Sequence, residues 1–237
     1  MNEPSPLRTL LLSIAIVLAG FLIGRGLIQF RGADRTVSVR GVAEREVRAD
    51  LGFWPIRFNA TDEVLDRARQ KVDGDRRTVM RFLAKHGIDS ANVSIQGLEV
   101  QDLQANAYSA NAPRRFIINV TLIARSNEPE KIQRASQAMG ELVDAGILLQ
   151  SGPYGGPSYA FTKLNDFKPA MVAEATASAR QAADEFAKQS KSHVGGLRRA
   201  SQGVFEILPR DQAQGIDEAS QIDKRLRVVT TLEYYLR

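Results

Sequence analysis

A chain of 237 residues with 43% hydrophobic and 25% charged side chains has the composition of a globular protein. Its net charge of +5 comes from 32 bases interspersed with 27 acids, without the one-sided basic block of a nucleic-acid binder, so no nucleic-acid partner is expected. It has no cysteine, which excludes disulfides, thiolate nucleophiles and cysteine zinc sites, and only His86 and His193 offer imidazole, which excludes histidine-rich metal sites.

Thr9 to Gly24 carries no charge, and the apolar run continues through Arg25 to Phe30. A helix of about 20 apolar residues crosses the hydrocarbon core, so one N-terminal transmembrane helix is expected, with Arg25 snorkelling near its end. The lipid bilayer is then the first partner. A buried core helix is the alternative. Gly24-Arg25-Gly26 and Arg31-Gly32-Ala33 are poor cleavage sites, which favours a retained anchor over a removed signal peptide. Arg8 precedes the span while Arg25, Arg31 and Arg35 follow it, so the positive-inside rule alone places the body in the cytoplasm.

Residues 1–35 are thus read as anchor and flanks, and 36–237 as the body. Val37 and Val39 alternate with polar residues in a first strand, Thr36–Arg40, that ends at Gly41. An extended stretch from Glu46 to Asn59 changes parity near Phe53, which predicts a bulge or a switch of buried face there, and Pro55 predicts an edge position. Thr61 is placed to cap a helix whose apolar face is Leu65, Ala68, Val72, Val79 and Leu83. Arg69, Lys71, Asp73, Arg76 and Arg77 fall on its solvated face, and Gly87 ends it. Val93 and Ile95 open a strand whose parity shifts across Gly97 to Leu98 and Val100, which predicts a glycine bulge.

A polar loop, Gln104–Pro113, leads to the clearest strand, Arg115–Ala124. Asn127 and Glu130 then read as a capping box around Pro129 for a helix with Ile132, Ala135, Met139 and Leu142 on one face. Gly146 stops it before a short strand, Ile147–Leu149. Ser151–Asp166, rich in glycine, proline and aromatics, reads as a loop running into a strand near Tyr159–Leu164. A long helix from Phe167 to Ser192 follows. Its face is Val172, Ala175, Ala179, Ala182, Ala183 and Phe186, and Gly195-Gly196 closes it. Leu197–Leu208 is strand-like, and Leu226, Val228, Leu232, Tyr234 and Leu236 alternate in a terminal strand.

Helix, strand, polar loop and strand therefore occur twice. Lys85-His86-Gly87 before Gln96-Gly97-Leu98-Glu99-Val100 parallels Ser192-His193-Val194-Gly195 before Gln202-Gly203-Val204. Duplication would divide the body into halves of about 36–150 and 151–237, with chance residue matches as the alternative. The expected class is α+β: antiparallel sheets covered by helices, with helix–strand–strand units used twice.

The opening Thr36-Val37-Ser38-Val39-Arg40-Gly41 through Asp50 to Asp62, the Gly87-Ile88 turn, the tyrosine-rich loop and the alanine-rich helix before Gly195-Gly196 resemble the SIMPL domain family, of the YggE-like type. The resemblance covers nearly all of 36–237. It implies an exported body, in the periplasm or outside the cell, on a bacterial inner membrane, self-association into a homo-oligomer, and a link to oxidative-stress tolerance. It brings no catalytic residues. Its sidedness conflicts with the charge rule, and the resemblance is followed here.

No phosphate loop, dinucleotide fingerprint, nucleophile elbow or zincin motif is present, and no cofactor, metal or catalytic residue is expected. His86 and His193 read as helix-end cations, and Asp62/Glu63 and Asp184/Glu185 as solvated pairs. Tyr108, Tyr154, Tyr159 and Phe161 are the candidate interface residues, with packing over their own core as the alternative. Three functions are compatible. The first is a tethered, non-enzymatic assembly or stress-protective protein of the envelope. The second is a binding module for a small ligand or envelope protein through loops Gln104–Pro113 and Ser151–Leu164. The third is an unrecognised hydrolase.

Overall fold

A computed structural model describes residues 15–22, 35–105, 115–150 and 156–237. Residues 15–22 form a short helix, α1, with Ile16, Val17, Leu18, Phe21 and Leu22 exposed. The rest of the expected span Thr9–Phe30 lies outside the described residues. Among the described residues no helix is long and apolar enough to cross a membrane.

The body is α+β, with antiparallel pairing and helices. β1 (Thr36–Arg48) and β2 (Leu51–Asp62) precede α2 (Leu65–Lys85), β3 (Val93–Asp102) and β4 (Phe116–Ser126). Next come α3 (Pro129–Gln137), α4 (Gly140–Asp144), β5 (Leu148–Leu149), β6 (Ser158–Ala160) and α5 (Leu164–Gln189). The chain ends with β7 (Val194–Gln202), β8 (Glu206–Pro209) and β9 (Asp223–Leu236). One sheet has the order β3-β4-β2-β5, with β6 also on β2. The other has the order β1-β9-β7, with β8 also on β9.

The repeated order of elements has a topological form. β2, α2, β3 and β4 make a sheet path in which the second strand is outermost and the last is central. β1, α5, β7 and β9 follow the same path, with everything from β2 to β6 inserted after β1. The paired residue motifs do not coincide, because Gln96 lies mid-strand and Gln202 ends β7.

The chain groups into two compact units. One comprises Met1–Ala43, Pro169–Phe205 and Val228–Arg237, and the other Glu44–Lys168 and Glu206–Arg227. In the first, α5 buries Met171, Ala175, Ala179, Ala183 and Ala187, a stripe with a strict spacing of four. Val37, Leu232 and Tyr234 pack with it. Gly41 of β1 meets the helix backbone itself: a Cβ built there would lie 1.9 Å from the Ala175 carbonyl oxygen and 2.4 Å from the Ala179 nitrogen. Gly41 is therefore not a strand end, as expected from sequence, but a contact point inside β1.

In the second unit β2 buries Gly52, Trp54, Ile56, Phe58 and Ala60 in unbroken alternation and pairs with β4 in one register throughout. Of the two alternatives near Phe53, the bulge is absent. The parity change arises instead because β1 ends at Arg48 and β2 begins at Leu51. Pro55 lies inside a sheet, yet the edge argument holds locally. On its second side β2 pairs with β6 at 51–53 and with β5 at 58–59, and no ladder is formed at Pro55 there among the described residues.

Several ends differ from expectation. β2 runs through Thr61 and Asp62, so Thr61 does not cap α2. Asp62 Oδ1 instead accepts the Val64 N–H at 2.9 Å and the Arg67 Nε–H at 2.9 Å. The Asn127/Glu130 capping box does not form. Glu128 is the N-cap, Ser126 Oγ accepts the Glu128 N–H, and the helix is broken into α3 and α4. Gly195 and Gly196 do not close α5, because they already belong to β7 and it is Lys191 that takes a φ of 53°. Phe186 and Ala182 point outward rather than into the core, and the expected strand 197–208 is split into β7 and β8. Gly87 and Gly146 take the expected left-handed conformation, with φ of 78° and 79°.

Candidate functional site

α2 turns Ala68, Val72, Val79, Phe82 and Leu83 toward the sheet and rests chiefly on β2 and β4. Directly opposed residues of antiparallel strands point to the same face. The registers therefore build transverse rows: Trp54–Ala124–Val93, Ile56–Leu122–Ile95, Phe58–Val120–Leu98 and Ala60–Ile118–Val100. All four rows are closed over β2 and β4, and the last three are open over β3, whereas Val93 in the first is partly buried against the core. Phe58 and Val120 are 0% and 2% exposed, whereas Leu98 is 61% exposed, and Ile95 and Val100 are 52% and 48%.

The bulge between Ile95 and Gly97 makes this strip continuous. A strand without it would send Leu98 and Val100 to the opposite face, since a shift of one residue inverts every side chain. With it, Val93, Ile95, Leu98 and Val100 share the helix-side face. β3 thus has the pattern of a covered strand, yet past Val93 its Ile95, Leu98 and Val100 stand exposed among the described residues. No strand pairs with its outer edge among them either.

Beside this strip lies a groove of 870 Å³ between α2 and β3. Val93, Ile95 and Leu122 line it from the sheet side. Met80 and the arginines Arg76, Arg77 and Arg81 line it from the helix. Asp73 takes Arg76 at 3.4 Å, and Arg81 donates to Thr78 Oγ1 at 3.1 Å. Arg77 and Arg81 are exposed and have no carboxylate partner among the described residues.

Asp102 and Arg115 close the connection between β3 and β4. The guanidinium donates twice to the carboxylate, with Nη2 at 2.8 Å, and Asp102 Oδ1 also accepts the Gln104 N–H at 3.0 Å. The Arg115 hydrogen bonds, followed by a smaller opposing desolvation, hold the Asp102 carboxyl below its ordinary value. A lowered folded-state pKa contributes stability above the unfolded value and loses it as pH falls through the folded one. The protection of the Gln104 amide, its exchange rate relative to the intrinsic rate at the same pH, is therefore expected to fall on acidification below the usual carboxylate range, and Asp102→Asn should remove that change. A protection factor that stays constant with pH in the unsubstituted chain would contradict this account of the closure.

Of the candidate interface residues, Tyr159 takes the core-packing alternative. It is buried in β6 opposite Gly52, and burial pushes its phenol up. Phe161 is half-buried and stacks edge-on against Phe167 at 5.7 Å. Tyr108 and Tyr154 lie outside the described residues, with 106–113 of the first candidate loop and 151–155 of the second. His86 ends α2, stacked at 4.6 Å on Phe82, and His193 is tied to Arg237 by two backbone bonds. The strip and arginine wall were missed from sequence because Arg76 and Arg77 read as ordinary solvated positions. The available signal was the bulge, which keeps four apolar residues on one face.

The SIMPL family model, described as a protein of unknown function (DUF541), matches residues 37–228. The chain therefore belongs to the SIMPL family. No match to a curated protein was found.

Proposed function

We propose that this chain performs no chemistry of its own and works as a docking and self-assembling protein of the cell envelope. Its first apolar segment would hold it at the inner membrane, with the body in the periplasm. The observation that carries the docking part is the strip on β3, whose neighbours in the same rows are buried while it stands open. Patches of this kind, set beside charged residues, mark protein interaction sites. An outermost strand also presents backbone donors and acceptors to any chain that can pair with them. The N-terminal apolar run supports the tether, and family membership supports the envelope setting and self-association. Protection against envelope or oxidative stress would then follow from assembly rather than turnover.

The test is the mass of the full-length chain in detergent, unsubstituted and as Leu98→Lys. Leu98 is already 61% exposed, so the substitution should alter stability by only about 0.5 kcal/mol. We expect the unsubstituted chain to be multimeric, and Leu98→Lys to shift it toward monomer with an unchanged melting midpoint. A strict monomer at high concentration removes self-association. An unshifted Leu98→Lys multimer removes β3 from the assembly.

A further inference from the structure

The docking reading leaves open what lies on β3, and the groove beside it narrows the choice. Three requirements converge. The outer edge of β3 has no strand partner among the described residues, so its backbone groups call for an occupant with amides of its own. The helix-side face offers Ile95, Leu98 and Val100 at alternate positions, which suits an extended chain with apolar side chains at every second residue. The wall above them is cationic. Arg77 and Arg81 have no carboxylate partner among the described residues, and Arg76 has only a 3.4 Å contact with Asp73.

We propose that β3 receives an acidic, extended peptide segment of a partner protein as an added strand. Its apolar side chains cover Ile95 and Leu98, and its carboxylates reach Arg77 and Arg81. Guanidinium forks pair with carboxylates through charge-assisted hydrogen bonds, which gives the site a sign preference that an apolar strip alone lacks. A lipid would satisfy the arginines and the strip but leave the strand edge unpaired. A second copy of this chain would cover Leu98 in the assembly but would leave Arg77 and Arg81 without acids, so the acidic segment is a distinct occupant that competes with self-association for β3. This inference rests on the docking reading and specifies that second occupant.

The experiment uses the full-length chain in nanodiscs of neutral lipid and a capped, fluorescent decapeptide in which threonine alternates with glutamate and valine. Three comparisons accompany it: the same peptide with lysine for glutamate, the acidic peptide N-methylated at alternate residues, and vesicles of phosphatidylglycerol as competitor. The acidic peptide should bind. The lysine peptide and the N-methylated peptide should not, and added salt should weaken binding. Arg77→Glu with Arg81→Glu should weaken the acidic peptide by about tenfold or more, because like charges then face each other. Arg77→Lys with Arg81→Lys should restore part of the loss, with all melting midpoints unchanged.

Equal binding of the lysine peptide, or undiminished binding of the N-methylated one, would overturn the proposal. So would vesicles binding through Arg77 and Arg81 when the acidic peptide does not bind. In each of those cases a Leu98→Lys loss of assembly would still stand, so the docking reading survives its occupant. If Leu98→Lys changes neither assembly nor peptide binding, the docking reading itself fails.

Discussion

Gly41→Ala should destabilise the protein severely, on the order of 3 kcal/mol or more, because the new methyl group enters a backbone rather than a side chain. Its Cβ would stand 1.9 Å from the Ala175 oxygen and 2.9 Å from the Ala179 Cβ. Neither atom is the far end of a flexible group, so relief requires α5 to lift off β1. Such a shift would also pull Ala175 and Ala179 out of contact, and both are fully buried. Native domains hold only about 5–15 kcal/mol in total, so a large share of the stability would go. Gly74→Ala is the matched control. It lies inside α2, where an added methyl meets nothing within 4 Å, and should gain about 0.5–1 kcal/mol from reduced chain entropy. Urea unfolding of the two variants should move in opposite directions. A Gly41→Ala midpoint near that of the unsubstituted chain would contradict the helix–strand contact.

Phe58→Ala should cost about 3–5 kcal/mol through lost burial and the cavity left behind. Phe58 is fully buried in β2, opposite Val120 on β4 and Leu149 on β5, so no neighbouring surface can collapse into the gap without moving two strands. Phe186→Ala removes the same group from α5 at a position that is half exposed, and should change stability by about 0.5 kcal/mol at most. Sequence periodicity ranks the two phenylalanines alike, so the comparison separates the structure from the pattern. Comparable losses from both substitutions would mean that α5 turns a different face inward.

The pattern of legibility has physical causes. Turns were readable where one residue type carries the constraint, as at Gly87 and Gly146, both of which adopt positive φ. The bulge in β3 was readable because parity is a local property of extended chain, and Ile95 and Leu98 cannot share a face without it. At Phe53 the same logic could not choose, because a parity change is produced equally by a bulge and by a switch of buried face between two strands. In α5 the choice between Phe186 and Ala187 as the inward residue was not readable. A helix rich in alanine has several small faces, and the one used is selected by Gly41, far away in sequence. At Tyr159 the choice between interface and core was open in the sequence for a related reason. Tyr159 sits in a glycine- and proline-rich segment that looks like a surface loop, but its backbone pairs with β2 and draws the ring inward. The open strip on β3 was invisible because exposure depends on how far α2 reaches across the sheet, and no local pattern records that distance.

The most direct test of the docking surface uses the absence of cysteine from the chain, which makes any introduced thiol unique. Leu98→Cys and Phe186→Cys, both at exposed positions, can be labelled with a permeant maleimide in intact cells and again in the dilute purified protein. A docked β3 predicts that the two label alike when purified, and that position 98 labels much more slowly than position 186 in cells. Equal labelling at both positions in cells would contradict it.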